Sequence, residues 1–207
     1  AFSMNQLSVL VLLILTIGCA CACSKYTEAN GAKGTSLSDS SNSSVRQQSL
    51  QLPLTEPRIV VLKARRQLEL YSGDKLIRVY KVGLGLNPIP DKQREGDRAT
   101  PEGEFYVFTK NPRSAFHLSL GISYPNSEDA ERGLKDGLIS RAQRDAIVRA
   151  IKRKQGPPQY TALGGLIYIH GNGARSDWTW GCVALENADI EELYRAIPVG
   201  TPVTIKP

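Results

Sequence analysis

Histidine and cysteine are scarce in this chain of 207 residues, which has two His and four Cys. Three of the Cys (Cys19, Cys21 and Cys23) crowd the end of one N-terminal apolar run, and Cys182 stands alone. That distribution excludes a disulfide framework, and no CxxC pair offers a zinc site. His117 is too isolated to share a metal with His170, so neither metal nor cofactor is expected. Gly83-Leu84-Gly85 is only a fragment of a phosphate-binding loop with no helix after it, which argues against nucleotide binding. No internal repeat is visible. With 41% hydrophobic and 22% charged residues, the composition excludes general disorder and supports a sizeable core.

The N-terminal segment reads as an export signal. Leu7 to Ile17 is apolar apart from Ser8 and Thr16, although no Lys or Arg precedes it. Met4 reads as the start, with Ala1 to Ser3 as an upstream remnant. Thr16 to Cys19 resembles a bacterial lipoprotein processing box, which makes Cys19 the expected acylated residue. The competing expectation is an uncleaved membrane anchor. Either one puts the rest of the chain outside the cytoplasm, in the cell envelope or periplasm and tethered to the membrane. Export thus takes residues 1–23, and a flexible Ser-rich linker takes residues 24–56, since Ser36 to Ser44 has no hydrophobic period. A folded domain is expected over residues 57–207.

The net charge of +6 belongs to that folded part, because only Lys25, Lys33, Glu28 and Asp39 precede residue 46 among the charged residues. A basic balance favours anionic surroundings such as wall polymer or lipid headgroups. Leu138 to Lys154 is the clearest helix, with Ile139, Ala142, Ala146, Ile147, Ala150 and Ile151 at helical spacing. Its other face carries Arg141, Arg144, Arg149, Lys152, Arg153 and Lys154, which reads as a solvated basic face. No aromatics interleave these cations, so nucleic acid lacks a stacking partner and is not an expected ligand.

Strands are expected at 58–63, 66–71 and 76–82 as a meander, then at 104–109 and 115–122. Tyr124 to Ser127 reads as the start of a loop. A final helix over 188–196 is expected with Asn187 as N-cap, followed by a closing strand at 201–205. The sum is a mainly β domain (α+β) with two attached helices.

The chemistry concentrates in Ile167 to Ala184. An apolar run leads to His170-Gly171, and Ser176 to Trp180 leads to Gly181-Cys182. A thiol is a good nucleophile once ionised, and a nearby imidazole is the usual way to ionise it. A glycine before the cysteine lets backbone amides approach a reacting carbonyl. The residues around Cys182 are not a core-strand pattern, so a Cys-His acyl-transfer site is favoured over a buried hydrophobe.

These residues resemble the L,D-transpeptidase catalytic domain, also called YkuD. The resemblance rests on His170-Gly171, on Thr179-Trp180-Gly181-Cys182 and on the segment Gly96-Asp97 to Thr100-Pro101-Glu102-Gly103. Ile122 to Asn126, Gly164-Gly165 and Asp177-Trp178 add to it, and it spans residues 57–206. It implies a β-sandwich of mixed sheets and an activity on peptidoglycan stem peptides. Cys182 would attack the carbonyl of the third residue, a diamino acid, and expel the fourth, D-Ala. His170 would take the thiol proton, the Gly171 carbonyl would orient the imidazole, and the amides of Gly181 and Cys182 would hold the oxyanion. Asp177, Trp178, Thr179, Trp180 and His117 are the expected substrate contacts. An amine acceptor gives a cross-link or an anchored wall protein, whereas water makes the enzyme a carboxypeptidase or amidase. A non-catalytic wall-binding protein is the remaining alternative. Many family members have His at the place of Trp180 and Arg at the place of Ala184.

Overall fold

The computed structural model describes residues 49–207. The expected export signal, the acylated Cys19 and most of the expected linker lie outside the described residues. Among the described residues no helix is long and apolar enough to cross a membrane.

Short alternating strands build the first half. β1 (Pro57–Leu62), β2 (Gln67–Ser72) and β3 (Lys75–Lys81) form the expected antiparallel meander. Ile59, Val61, Leu68 and Leu70 are buried at every second position, as a half-buried sheet requires. β8 (Pro202–Lys206) lies parallel to β1 and antiparallel to β4 (Gly103–Ser114).

β4 joins the two halves of the molecule. Its first residues pair with β8, and its later ones pair with β5 (His117–Ile122). Register shifts at Val107/Thr109 and Asn111/Ser114 bend the strand, as bulges do. β5 then pairs with β6 (Tyr168–His170), and β6 runs parallel to the two-residue β7 (Val183–Ala184). The result is a curled mixed sheet of eight strands in the order β3-β2-β1-β8-β4-β5-β6-β7. Both halves contribute to one core, from Ile59 and Leu70 to Leu120, Ile169 and Val183. Leu50 and Leu54, from the segment expected to be linker, pack against it.

Three helices attach to this sheet, not the expected two. α1 (Ser127–Lys135) occupies the stretch read as a loop. It is short and buries few apolar side chains, so it has no long hydrophobic period to detect. A capping box starts it: the Asn126 side chain accepts from the Asp129 N–H, and the Asp129 carboxylate accepts from the Asn126 N–H. α2 (Arg141–Lys152) begins later than its apolar period suggested, because Ser140 and Gln143 form a second capping box. Ile139 nonetheless joins Ile147, Ala130 and Leu163 in a satellite core that fastens the two helices beside the sheet. α3 (Asn187–Ala196) has Glu186 at its N-cap position, with no side-chain capping hydrogen bond. The expected cap, Asn187, instead turns its side-chain oxygen to the Asn172 N–H, 2.8 Å away.

Candidate active site

The pairing of β6 with β7 brings the thiol to the imidazole. Ile169 faces Val183 and His170 faces Ala184. One step back in that register puts Cys182 beside Tyr168, whose N–H donates to Cys182 Sγ at 3.4 Å. Tyr168 and His170 share a strand face, so Cys182 and His170 are diagonal neighbours across the two strands. The thiol itself points to the Leu166 carbonyl, 3.5 Å away. Among the described residues no hydrogen bond joins Sγ to the imidazole.

His170 is buried, and its Nδ1 lies 2.7 Å from the Gly171 carbonyl. A carbonyl only accepts, so the proton is on Nδ1 and Nε2 is left as the basic atom. Aromatic rings fix the imidazole plane. Phe116 stacks on it at 4.7 Å between centroids, and Trp178 meets it edge-on at 5.6 Å. Trp178 is itself anchored, since its indole N–H donates to the Gly173 carbonyl at 3.0 Å.

Burial governs the charge state of the pair. It pushes the Cys182 thiol up to about 11, with the Tyr168 N–H and the Lys92 cation opposing it less strongly. It also pushes His170 below its ordinary value, although the Gly171 carbonyl favours the protonated ring. Near neutral pH the resting site therefore holds a thiol and a neutral imidazole, not a preformed ion pair.

The turn before the cysteine is tightly built. Thr179 is buried, donates from Oγ1 to the Cys182 carbonyl at 2.7 Å and accepts the Gly181 N–H at 3.2 Å. Gly181 has φ +124, and a Cβ there would lie 2.7 Å from the Ala99 carbonyl oxygen, so only glycine fits. Asp177 receives Arg66 at 2.8 Å and the Leu84 N–H at 2.9 Å, which ties this turn to the β1–β2 connection. Asp177 and Thr179 are thus engaged within the protein.

The segment 83–102 buttresses the turn from behind. A Cβ on Gly85 would sit 2.1 Å from the Arg98 carbonyl oxygen, which shows how close the two chains run. Thr100 Oγ1 accepts the Gly85 N–H at 2.9 Å. The buried Lys63 ammonium gathers the Ile89, Pro90 and Thr100 carbonyls and pairs with Glu102 at 2.7 Å. Burial would raise Asp97, but the N–H groups of Arg94, Gln93 and Ala99 and the Lys92 ammonium together hold its carboxyl below the usual range.

Cys182 opens on a cavity of about 600 Å³ whose lining includes Lys92, Glu95, Gln143, Tyr160, Leu166 and Trp180. Trp180 is 62% exposed there and carries the Arg98 guanidinium over its ring at 4.7 Å. A second cavity, of about 490 Å³, is walled by Trp178, Arg175 and Glu186 and holds neither the thiol nor the imidazole. His117 lies off both, paired with Glu191 of α3 at 2.7 Å. Sequence reasoning missed Lys92, Arg98 and Phe116. Lys92 precedes the Gly96–Gly103 motif and Arg98 lies within it, but nothing in their spacing marks them as neighbours of a thiol more than eighty residues away.

The family model for the L,D-transpeptidase catalytic domain, YkuD, matches residues 56–205. This chain belongs to that family. A relative named L,D-transpeptidase YafK from Escherichia coli (strain K12) is 26% identical over 146 residues, which is 67% of this chain and 46% of the relative. The chain thus spans about half the length of the relatives it matches. A solved structure, the helical cell shape determining protein Pgp2 (K307A mutant) from Campylobacter jejuni, superposes with a TM-score of 0.51 at 23% identity. It covers 74% of this chain and 47% of its own, and it supports the fold alone.

Proposed function

We propose that this YkuD domain is a cysteine acyltransferase acting on peptidoglycan stem peptides through a thioester on Cys182. The observation that carries the reading is the cysteine itself. Its thiol opens on a substrate-sized cavity, diagonal to a buried imidazole whose basic nitrogen the Gly171 carbonyl has selected.

In this reading the stem peptide enters with the carbonyl of its third residue against Sγ. The resting thiol is neutral, so His170 Nε2 takes its proton as the S–C bond forms. The amide C–N bond then breaks, the proton passes to the departing amine, and D-Ala leaves. The Cys182 N–H, which has no partner among the described residues, stabilises the oxyanion by about 3 kcal/mol. The Gly181 N–H joins it when Thr179 Oγ1 releases it. Trp178 and Phe116 hold the imidazole plane throughout, and Trp180 walls the cavity. An amine of a second stem peptide or a wall protein then resolves the thioester to a cross-link. Water resolves it to a shortened stem. The enzyme works in the cell envelope, held by an N-terminal anchor or by lipid on Cys19.

Intact-mass measurement after incubation with purified tetrapeptide stems tests the reading. The expected result is the mass of the tripeptide acyl group on the wild-type chain and none on Cys182→Ala. No adduct on the wild type, or an equal one on the variant, overturns it. Chromatography of the products separates joining from cutting, because only joining yields a dimer of stems.

A further inference from the structure

Arg98 differs from Lys92, Lys63 and Arg66 around the site in having no carboxylate partner among the described residues. Lys92 pairs with Asp97 at 2.8 Å, Lys63 with Glu102 at 2.7 Å and Arg66 with Asp177 at 2.8 Å. The exposed Arg98 guanidinium has no acidic partner among the described residues. What it has is the ring of Trp180, and that tryptophan lines the thiol's cavity two residues before Cys182.

The backbone holds this arginine in place. Its φ is +59, a left-handed conformation that a non-glycine residue adopts at some cost. Its carbonyl accepts the Asn87 N–H at 3.1 Å and is wedged against Gly85. The next carbonyl, that of Ala99, packs on Gly181. The loop that backs the nucleophile turn therefore also carries the guanidinium. Stacking occupies one face of the group and leaves its N–H edges open, a fork that matches the two oxygens of a carboxylate. Neither other charge of the cavity serves as well: Lys92 is buried and committed to Asp97, and Glu95 repels anions.

We propose that Arg98, held on Trp180, reads a free carboxylate on the acyl donor at the mouth of the Cys182 cavity. The donor is then a peptide with an ionised carboxyl close to the scissile bond, and amidated or internal peptides are poor donors. This rests on Cys182 being the nucleophile.

Two alkylating agents of nearly equal size test it without any turnover: iodoacetate, an anion, and iodoacetamide, which is neutral. Rates at Cys182 are followed by peptide mass mapping on the full chain, which keeps Cys19, Cys21 and Cys23 out of the readout. The iodoacetate-to-iodoacetamide ratio is expected to exceed that of free cysteine. It should fall about two- to fivefold in Arg98→Ala, as loss of one exposed charge predicts. Arg98→Lys should keep part of the preference, and Trp180→Ala, which frees the guanidinium, should lose it. Added salt should lower the wild-type ratio toward that of Arg98→Ala. An equal ratio in wild type, Arg98→Ala and Trp180→Ala overturns the proposal. If stem peptides still acylate Cys182 in that event, only the carboxylate reading fails. If they do not, the acyltransferase reading fails separately.

Discussion

Cys182 and His170 are both pushed toward their neutral forms, and this decides how the site must start. A preformed thiolate-imidazolium pair would react with alkylating agents at a rate that levels off near neutral pH. With burial raising the thiol to about 11, the iodoacetamide rate at Cys182 should instead climb steadily through the alkaline range. A plateau near neutral pH would show that the pair is already ionised. His170→Ala should leave that profile nearly unchanged, since no hydrogen bond joins the imidazole to the resting thiol. On the proposed mechanism the same variant should slow acylation by stem peptides about a hundredfold or more, because it removes the proposed base.

At the scale of elements, α1 offers the clearest tests. Asn126 caps it and is nearly buried, so Asn126→Ala should lower the stability to chemical denaturation by about 1 kcal/mol. Burial raises Asp129 of the same box to about 6, against the pull of the Asn126 N–H and Arg132. A carboxyl with a raised folded value keeps its proton in the native state after the unfolded chain has lost it. Its contribution is thus complete below about pH 4 and is lost as the pH rises through about 6. Asp129→Asn lacks this dependence. Its stability relative to wild type should therefore improve by up to about 3 kcal/mol between about pH 4 and pH 7. Denaturation midpoints at the two pH values check this, and parallel curves would contradict it.

For the whole molecule, the buried Lys63 is a fastening between β1 and the segment behind the Gly181-Cys182 turn. Lys63→Met should destabilise by about 3–5 kcal/mol, because Glu102 and three carbonyls lose their common donor. Calorimetric or denaturant unfolding measures it. Any folded fraction should also acylate more slowly, since that segment sets the position of Arg98 and of the Gly181 turn.

The meander, the closing strand, the longest helix and the Cys182-His170 pairing are legible in the sequence, because each rests on local period, turn chemistry or a short motif. Alternation at Ile59/Val61 and Leu68/Leu70 fixes strand faces wherever the strands come to lie, and a glycine before a lone cysteine marks a tight turn that carries a thiol. Helix α1 escaped because a capping box and a few buried side chains hold it, not a long apolar stripe. The curl at β4, the aromatic walls on His170, the protonation state of the thiol and the meeting of Arg98 with Trp180 follow only from tertiary structure. Each depends on contacts between distant segments, and burial, which sets both the pKa shifts and the ring packing, is a property of the assembled core rather than of any stretch of chain.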